Sequence, residues 1–377
     1  MTIGAGFLLS EISTAPILGA MGVSYGDHAD DRVRSFTTRH HAAGEDAMAT
    51  SLQVTTYGTR GSVPVAGTEY AEFGGNTTCL RIHSSCLPEG VALIVDAGSG
   101  YRRATADLLR SGIKHIALLH THYHWDHIQG LPFGAHTYVP GCHTVVWGPK
   151  EHGVGPLEVY GQQMREPEFP VHFGKVRHQF TLVPLEHIGT QVLVFHPIGG
   201  VKLERVHALR ERDADGGQIL FPKNPFGKAG SYPLSECLVV WMYKTTHPEY
   251  TVSFRFEERP TGKTFVFLTD HEVTPGWAAD LLIHLRGADL LIQDAQYEDG
   301  EYRKHKVGWG HGTPVYAAET AVRAEVQRFG ITHHDPAATD DDVRHRLEEA
   351  CARLTTLGGT DLARTAFACK DHETIDV

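Results

Sequence analysis

The sequence predicts a layered α/β domain in which two β-sheets are packed between helices. Strand-like and helix-like segments alternate from residue 52 onward, and they do so in two comparable halves. Val, Leu and Ile dominate residues 91–95 and 289–293, which is typical of strands buried on both faces. A chain of 377 residues is long enough to bury the core that such a domain requires.

The first half begins with a strand at residues 52–57, where the residues alternate and several are β-branched. A turn at 58–61 and a Gly–Gly–Asn stretch lead to another strand. The buried strand at 91–95 is followed by a helix at 101–109. The next strand contains the apolar residues 116–119 and ends directly before a loop rich in histidine.

The second half is expected to contain paired strands, a helix, a further strand and two closing helices. These elements are predicted at 251–256 and 264–268, at 277–285, at 289–293, and at about 315–329 and 341–356. The connecting residues near 200–236 are rich in Arg, Asp, Gly and Pro with little periodicity, which predicts an inserted loop or lid. Residues 1–50 are weakly patterned and predict an N-terminal extension, either disordered or loosely docked.

Charge and composition exclude several classes of protein. The formal net charge of −11 argues against a general nucleic-acid-binding surface, because such a surface would be basic. The six cysteines form no CxxC pair, which fits reduced thiols in the cytoplasm better than a disulfide framework. No apolar run approaches the roughly 20 residues needed to cross a bilayer, and no Lys or Arg precedes the apolar patch at 15–22. We therefore expect a cytoplasmic protein with no membrane partner.

The loop at residues 121–127, with the sequence Thr-His-Tyr-His-Trp-Asp-His, contains three imidazoles and one carboxylate. These groups suit zinc, manganese or iron as ligands. Histidine is abundant in this chain, at 26 of 377 residues, so one His-x-His pair would mean little. The added Asp-His favours a metal site over a surface patch that is merely rich in histidine.

This loop resembles the HxHxDH motif of the metallo-β-lactamase superfamily, and the resemblance extends over about residues 52–375. The other candidates occur in the superfamily's order: His247 in Thr-Thr-His-Pro, Asp270 in Phe-Leu-Thr-Asp, His311 in Gly-Trp-Gly-His-Gly-Thr and His333 in Thr-His-His-Asp-Pro. These segments and the earlier Gly-Thr-Arg-Gly-Ser-Val-Pro and Gly-Gly-Asn-Thr-Thr are most similar to the phosphodiesterase branch, which includes tRNA 3′-processing nucleases and cyclic phosphodiesterases. The resemblance implies a four-layer αββα sandwich, formed by one hydrolase domain at 51–377.

The resemblance also implies two divalent metal ions held by seven side chains. The first ion would be bound by His122, His124 and His247, the second by Asp126, His127 and His333, and Asp270 would bridge both. A carboxylate suits the bridging position because it has two oxygens, whereas imidazole has one free lone pair. Zinc is the expected metal, with manganese or iron as alternatives. A hydroxide between the metals would attack phosphorus in line, and Asp126 would orient it or accept its proton.

Two residue assignments stay open in the sequence. His311 occupies the position where similar phosphodiesterases place a histidine that protonates the leaving group or contacts phosphate; the alternative is a structural residue packed against Trp309. His333 and His334 compete for one metal position because adjacent side chains point in different directions, and the motif favours His333. Asp96, at the end of a buried strand, is expected to support the histidine loop rather than to bind metal.

A metal-dependent hydrolase is the expected function, and a dinuclear phosphodiesterase is favoured. One alternative is a thioesterase or lactonase on the same fold, although thioesterases of the superfamily typically lack the two C-terminal histidine segments. Another is a regulatory module that binds metal without catalysis, although every expected ligand type is present. A flavin-linked diiron oxidoreductase is disfavoured because that branch usually has glutamate where His124 stands.

A small phosphodiester or nucleotide is the expected substrate. A long, basic, flexible arm for gripping tRNA is not evident, and residues 164–170 are neither notably basic nor rich in glycine. Nucleic acid is therefore a less favoured partner, and assembly as a homodimer is left open. Arg60 is either a phosphate contact or a structural turn residue.

Overall fold

The computed structural model describes residues 52–214 and 216–377, and the predicted extension at 1–50 lies outside the described residues. In spatial order, the first sheet contains β17 (Glu373–Asp376), β1 (Gln53–Gly58), β2 (Cys79–His83), β3 (Val91–Val95), β4 (His115–Leu119), β5 (His143–Pro149) and β6 (Phe180–Leu185). The second contains β16 (Phe367–Ala368), β15 (Phe329–Thr332), β14 (Leu290–Asp294), β13 (Lys263–Leu268), β12 (Val252–Glu258), β11 (Leu238–Lys244), β7 (Gln191–His196) and β8 (Gly200–Arg205). A separate hairpin is formed by β9 (Gln218–Phe221) and β10 (Gly230–Pro233).

Most of the α-helices connect successive parallel strands within one sheet. The helices are α1 (Tyr101–Arg110), α2 (Trp125–Ile128), α3 (Pro156–Gln163), α4 (Val206–Ala214), α5 (Ala279–Leu285), α6 (Asp299–Glu301), α7 (Pro314–Arg323), α8 (Asp340–Thr356) and α9 (Thr360–Thr365). Within the described part of the chain, none of the helices is long and apolar enough to cross a membrane.

Both sheets follow one plan, with antiparallel strands on one side and parallel strands on the other. Strands β3 to β6 are parallel in the first sheet, and β13 to β16 are parallel in the second. Parallel neighbours need a crossover connection, and these connections contain the helices. The helices therefore cover the outer face of each sheet, and the predicted αββα sandwich is confirmed.

The buried strands carry side chains into two different cores. In β3, Leu93 belongs to the core between the sheets, whereas the next residue, Ile94, packs against Tyr101 and Leu108 of α1. This alternation is the normal consequence of the strand's two-residue period. It explains why β3 is apolar at every position, because both of its faces are buried.

Two sequence predictions about elements need correction. The helix predicted at 315–329 ends at Arg323, because Glu325 adopts a left-handed conformation with φ of 56° and the chain then continues as β15. The segment near 200–236 is not a structureless loop, since it contains β8, α4 and the β9–β10 hairpin. Its periodicity was hidden because β9 has only four residues and α4 buries a single side chain, Leu209.

Candidate metal centre

The candidate site lies where parallel strands of both sheets end. The histidine loop follows β4, Asp270 is the second residue after β13, and His333 directly follows β15. Carboxyl ends of parallel strands meet at one edge of a sheet, which is where α/β folds commonly bind ligands. The two sheets therefore bring side chains from both halves of the chain to a common site.

Three of these strand-end residues have a backbone conformation that is uncommon for any residue except glycine. The φ angles are 60° for Asp96, 51° for Asp270 and 61° for His333. Such a conformation costs free energy and persists only where surrounding contacts enforce it, as is common at functional sites. The sharp turn redirects each side chain from the strand end into the site.

The structure brings all seven predicted metal ligands together in overlapping groups. One group contains His122, His124, His247 and Asp270, another contains Asp126, His127 and His333, and a third contains Asp270, His311 and His333, with the ligand atoms of each group within 4.8 Å of one another. His334 is directed elsewhere, because its Nε2 lies 2.9 Å from the carbonyl oxygen of Cys369. Only His333 of this pair therefore reaches the cluster.

The two oxygens of Asp270 face different histidines. Oδ2 lies 3.5 Å from Nε2 of His122, whereas Oδ1 lies 3.3 Å from Nε2 of His127 and 3.4 Å from Nε2 of His333. This is the arrangement that a carboxylate needs to bridge two cations. Asp126 joins the second group, with Oδ2 at 3.1 Å from Nε2 of His333.

The donor atoms fit divalent cations. Nε2 of His122 and Oδ2 of Asp270 are both buried and have no hydrogen-bond partner among the described residues, which is costly unless a ligand satisfies them. The close pair of Nε2 atoms of His127 and His333, 3.3 Å apart, likewise needs a shared proton or cation between them. Together with the fold, this set of imidazoles and carboxylates indicates a divalent metal centre.

The outer nitrogens of the histidines are held by neighbouring acceptors, so the inner nitrogens face the centre. Nδ1 of His127 lies 2.8 Å from Oδ2 of Asp96, Nδ1 of His333 lies 2.8 Å from Oε1 of Gln296, Nδ1 of His247 lies 2.9 Å from the carbonyl of Gly310, and Nε2 of His124 lies 2.8 Å from Oε2 of Glu249. Such contacts fix the ring orientation and the tautomer of a metal-ligating histidine. The predicted supporting role of Asp96 agrees with this geometry.

The surrounding charges act differently on the buried histidines. Burial, reinforced by the neighbouring His127, lowers the pKa of His122 well below its usual value. Burial also lowers the pKa of His127, but the carboxylates of Asp270 and Asp126 outweigh it and raise that pKa well above its usual value. The same two carboxylates overcome burial at His333 and raise its pKa to about 9. Cation binding would therefore displace protons from His127 and His333, whereas His122 is already neutral.

His311 is held beside the cluster by the carboxylate of Asp294, which no sequence motif marks. Its Nδ1 lies 3.0 Å from Oδ2 of Asp294, and its ring stacks on His333 with 4.9 Å between centroids. Trp309, the alternative packing partner of His311, is 55% exposed, and its ring makes an edge-to-face contact with Tyr297. Because Nδ1 is engaged by the buried carboxylate of Asp294, Nε2 is the ring nitrogen left to react.

The Gly-Thr-Arg-Gly turn at residues 58–61 positions a backbone group that contacts the site. Arg60 is fully buried and donates to the carbonyls of Gly74, Asp335 and Ala338, so it is a structural residue and not a phosphate contact. The turn it stabilises lets the backbone N–H of Ser62 donate to Oδ2 of Asp126 at 2.7 Å.

Three residues of the site were not found from the sequence. Asp294 and Gln296 lie at and just after the end of β14, and that position was the only signal available for them. Glu249 follows His247 by two residues in a loop without a distinctive motif. Each contacts a histidine rather than forming part of the HxHxDH pattern.

Comparison with known proteins gives one family match and several full-length relatives. A model described as the beta-lactamase superfamily domain matches residues 237–334. A Ribonuclease Z from Natronomonas pharaonis is 27% identical, over 87% of this chain and 98% of its own length. A Ribonuclease Z from Bradyrhizobium sp. is also 27% identical, over 70% of this chain and 87% of its own.

Solved structures with low sequence identity share the fold. The metallo-beta-lactamase fold protein YhfI from Bacillus subtilis aligns with a TM-score of 0.52 at 15% identity, covering 86% of this chain and 99% of its own. The short form of human tRNase Z aligns with a TM-score of 0.51 at 19% identity, with the same coverage. Both alignments extend well beyond the segment that the family model matches.

Proposed function

We propose that this chain is a member of the metallo-β-lactamase superfamily and acts as a metal-dependent phosphodiesterase with two metal ions. The observation that carries the proposal is Asp270, whose two oxygens face two separate groups of ligand atoms. The curated relatives are named Ribonuclease Z, and this supports hydrolysis of a phosphodiester bond. The names of these relatives do not point to thioesters or lactones.

Zinc is the proposed metal because imidazole and carboxylate ligands suit it, with manganese or iron as alternatives. His122, His124 and His247 would hold one ion and Asp126, His127 and His333 the other, with Asp270 shared between them. When bound, the ions would polarise the phosphoryl oxygens and allow water to act as the nucleophile near neutral pH.

The chain itself would handle the protons of the reaction. Asp126, which accepts a hydrogen bond from the backbone N–H of Ser62, would position the nucleophile. His311 would donate a proton from Nε2 to the departing alkoxide, because its Nδ1 is engaged by Asp294. The carboxylate of Asp294 would keep the ring in the required orientation.

A small phosphodiester or nucleotide is the proposed substrate, and RNA is the competing one. The net charge of −11 disfavours extended contact with a polyanion. The names of the relatives favour RNA, so both substrates belong in the assay.

The first test combines metal analysis with a substrate screen. We expect about two divalent ions per chain and hydrolysis of bis(p-nitrophenyl) phosphate, with precursor tRNA, thioesters and lactones tested in parallel. Asp270→Asn should release metal and abolish turnover, since the amide cannot bridge two cations. Full metal content and full rate in that variant, or activity confined to thioesters, would refute the proposal.

The second test separates proton transfer from metal binding. His311→Ala should lower kcat by about 100- to 10,000-fold, the usual contribution of a general acid, and should leave the metal content unchanged. Metal analysis by mass spectrometry is essential, because His311 also lies within ligand distance of Asp270 and His333. Loss of an ion from a folded variant would make His311 a ligand instead.

A further inference from the structure

A cavity of about 290 Å³ opens directly beside the metal centre. It is lined by His122 and His124 on the side of the centre, and by Tyr123, Pro149, Val154, Val159 and Tyr250 as largely apolar walls. Because it adjoins two of the proposed ligands, a phosphodiester bound at the centre would direct one of its ester groups into this cavity.

Two carboxylates give the cavity a negative charge. Glu249 and Glu151 both line it, and their side chains are 54% and 37% exposed. Within the described residues, no Lys or Arg lines it, and the remaining lining residue is His152, whose Nε2 lies 4.0 Å from Oε1 of Glu151. Lys150 adjoins it in sequence but pairs with Glu186 at 2.8 Å, and Lys244 lies over the Tyr250 ring at 4.3 Å without lining the cavity.

Both glutamates are held in place by the fold. Oε2 of Glu151 accepts a hydrogen bond from the backbone N–H of Tyr250 at 3.0 Å, and Glu249 contacts Nε2 of His124 at 2.8 Å. Tyr123 is likewise fixed, since its hydroxyl donates to the carbonyl of Pro149 at 2.7 Å. The charges and the aromatic walls therefore occupy defined positions and do not depend on mobile side chains.

We propose that this cavity binds a cationic ester group, so that the preferred substrate is a phosphodiester of an alcohol bearing a quaternary ammonium or amine. This proposal rests on the proposed function and narrows its substrate class. Tyrosine rings and carboxylates attract an organic cation, while apolar walls accept its methyl or methylene groups. A substrate with a second phosphate, such as RNA, would instead bring negative charge towards Glu151 and Glu249.

The decisive comparison uses two substrates that differ in charge alone. p-Nitrophenyl phosphorylcholine carries the cation, and its carbon isostere has a tert-butyl group in place of trimethylammonium. Hydrolysis of either breaks the bond from phosphorus to the p-nitrophenyl oxygen, takes up one water and releases p-nitrophenol. For the metal-loaded protein, we expect kcat/KM to be about tenfold higher for the choline ester, in line with the attraction of a desolvated cation to aromatic rings and carboxylates.

A pair of matched variants assigns the charge effect to this cavity. Glu151→Gln keeps an oxygen for the Tyr250 N–H and should at least halve the ratio of the two kcat/KM values. Glu168→Gln makes the same change in the neighbouring cavity, which is lined by Trp125 and Gln162, and should leave the ratio unchanged. Thermal unfolding of both variants checks that the fold is retained.

The outcomes separate this inference from the proposed function. Equal kcat/KM values for the two esters would refute the cation site and leave the phosphodiesterase intact. A fall in the ratio that is as large in Glu168→Gln as in Glu151→Gln would also refute it, because the charge would be sensed elsewhere. If the metal-loaded protein released p-nitrophenol from none of the phosphodiesters, the proposed function itself would be wrong.

Discussion

The orientation of a single ligand depends on a glycine in the opposite wall of the site. Gly310 has φ of 91°, and its carbonyl accepts from Nδ1 of His247 at 2.9 Å. A Cβ at this position would lie 2.0 Å from that same nitrogen, so no larger residue fits without moving the ring. Gly310 therefore both holds His247 and leaves the space that it needs.

We expect Gly310→Ala to displace His247 and to lower activity and metal affinity by about 10- to 100-fold, the usual effect of disturbing the partner of a metal-bound histidine. Gly308→Ala is the matched control, because Gly308 has φ of 88° but nothing within 4 Å of its added Cβ. Titration with zinc and a phosphodiester assay measure both variants. Equal losses in the two variants would show that backbone strain, and not the contact with His247, is responsible.

The residues that chemistry demands were easier to predict than the residues that hold them. Imidazoles and carboxylates in a fixed order form a recognisable motif, so the resemblance to a known family predicted ligands such as His127 and Asp270. Gln296 and Glu249 contact those ligands through ordinary hydrogen-bonding groups, which occur in any loop. Their roles depend on distances between segments that are far apart in the chain, and no local pattern encodes those distances.

At the level of elements, the strands were predicted best where both faces are buried. Strands β3 and β14 are short, are buried at every position and lie inside their sheets rather than at an edge. The end of α7 and the hairpin β9–β10 were missed because four-residue strands carry too few positions to establish a period. Strand β15 pairs with β14 on one side and with β16 on the other, and these long-range pairings add to the preference of its Phe, Ile and Thr residues for strands.

Helix α5 offers a test of how buried histidines limit stability in acid. His284 lies against Tyr243, with 5.4 Å between the ring centroids, and its Nε2 is 3.0 Å from Oγ of Ser253. Burial, with the nearby charge of Arg255, lowers its pKa to about 3. In the unfolded chain the pKa is near 6.5, so below that pH the unfolded state takes up a proton that the folded state does not.

Stability should therefore fall as pH drops from about 6.5 towards about 3, and His284 alone should cost about 2 kcal/mol between pH 7 and pH 5. His284→Gln retains a polar group for Ser253 and should flatten this dependence. Denaturant unfolding at the two pH values measures it, with His345→Gln, an exposed histidine of α8, as the control. If both variants kept the full slope, His284 would not be a source of the acid sensitivity.

At the scale of the whole molecule, the candidate metal centre takes its ligands from both halves of the fold. Four predicted ligands follow β4 in the first sheet, and three follow strands or loops of the second. Removal of the cations would leave Asp126 and Asp270 buried near each other, balanced only by protons on histidines. Metal binding should therefore increase the stability of the sandwich more than it would at a site on the protein surface.

We expect a chelator to lower the melting temperature by several degrees and added zinc to restore it. Free metal at a thousand times its dissociation constant contributes about 4 kcal/mol to folding stability, provided that it binds the folded state alone. Differential scanning calorimetry of metal-loaded and chelated protein measures the shift. Asp270→Asn is the control, because a chain that has lost the bridging carboxylate should melt at one temperature with or without zinc. The unaltered chain is stripped of metal, with the loss verified by elemental analysis. If its melting temperature then does not shift, metal binding does not stabilise the packing of the two sheets.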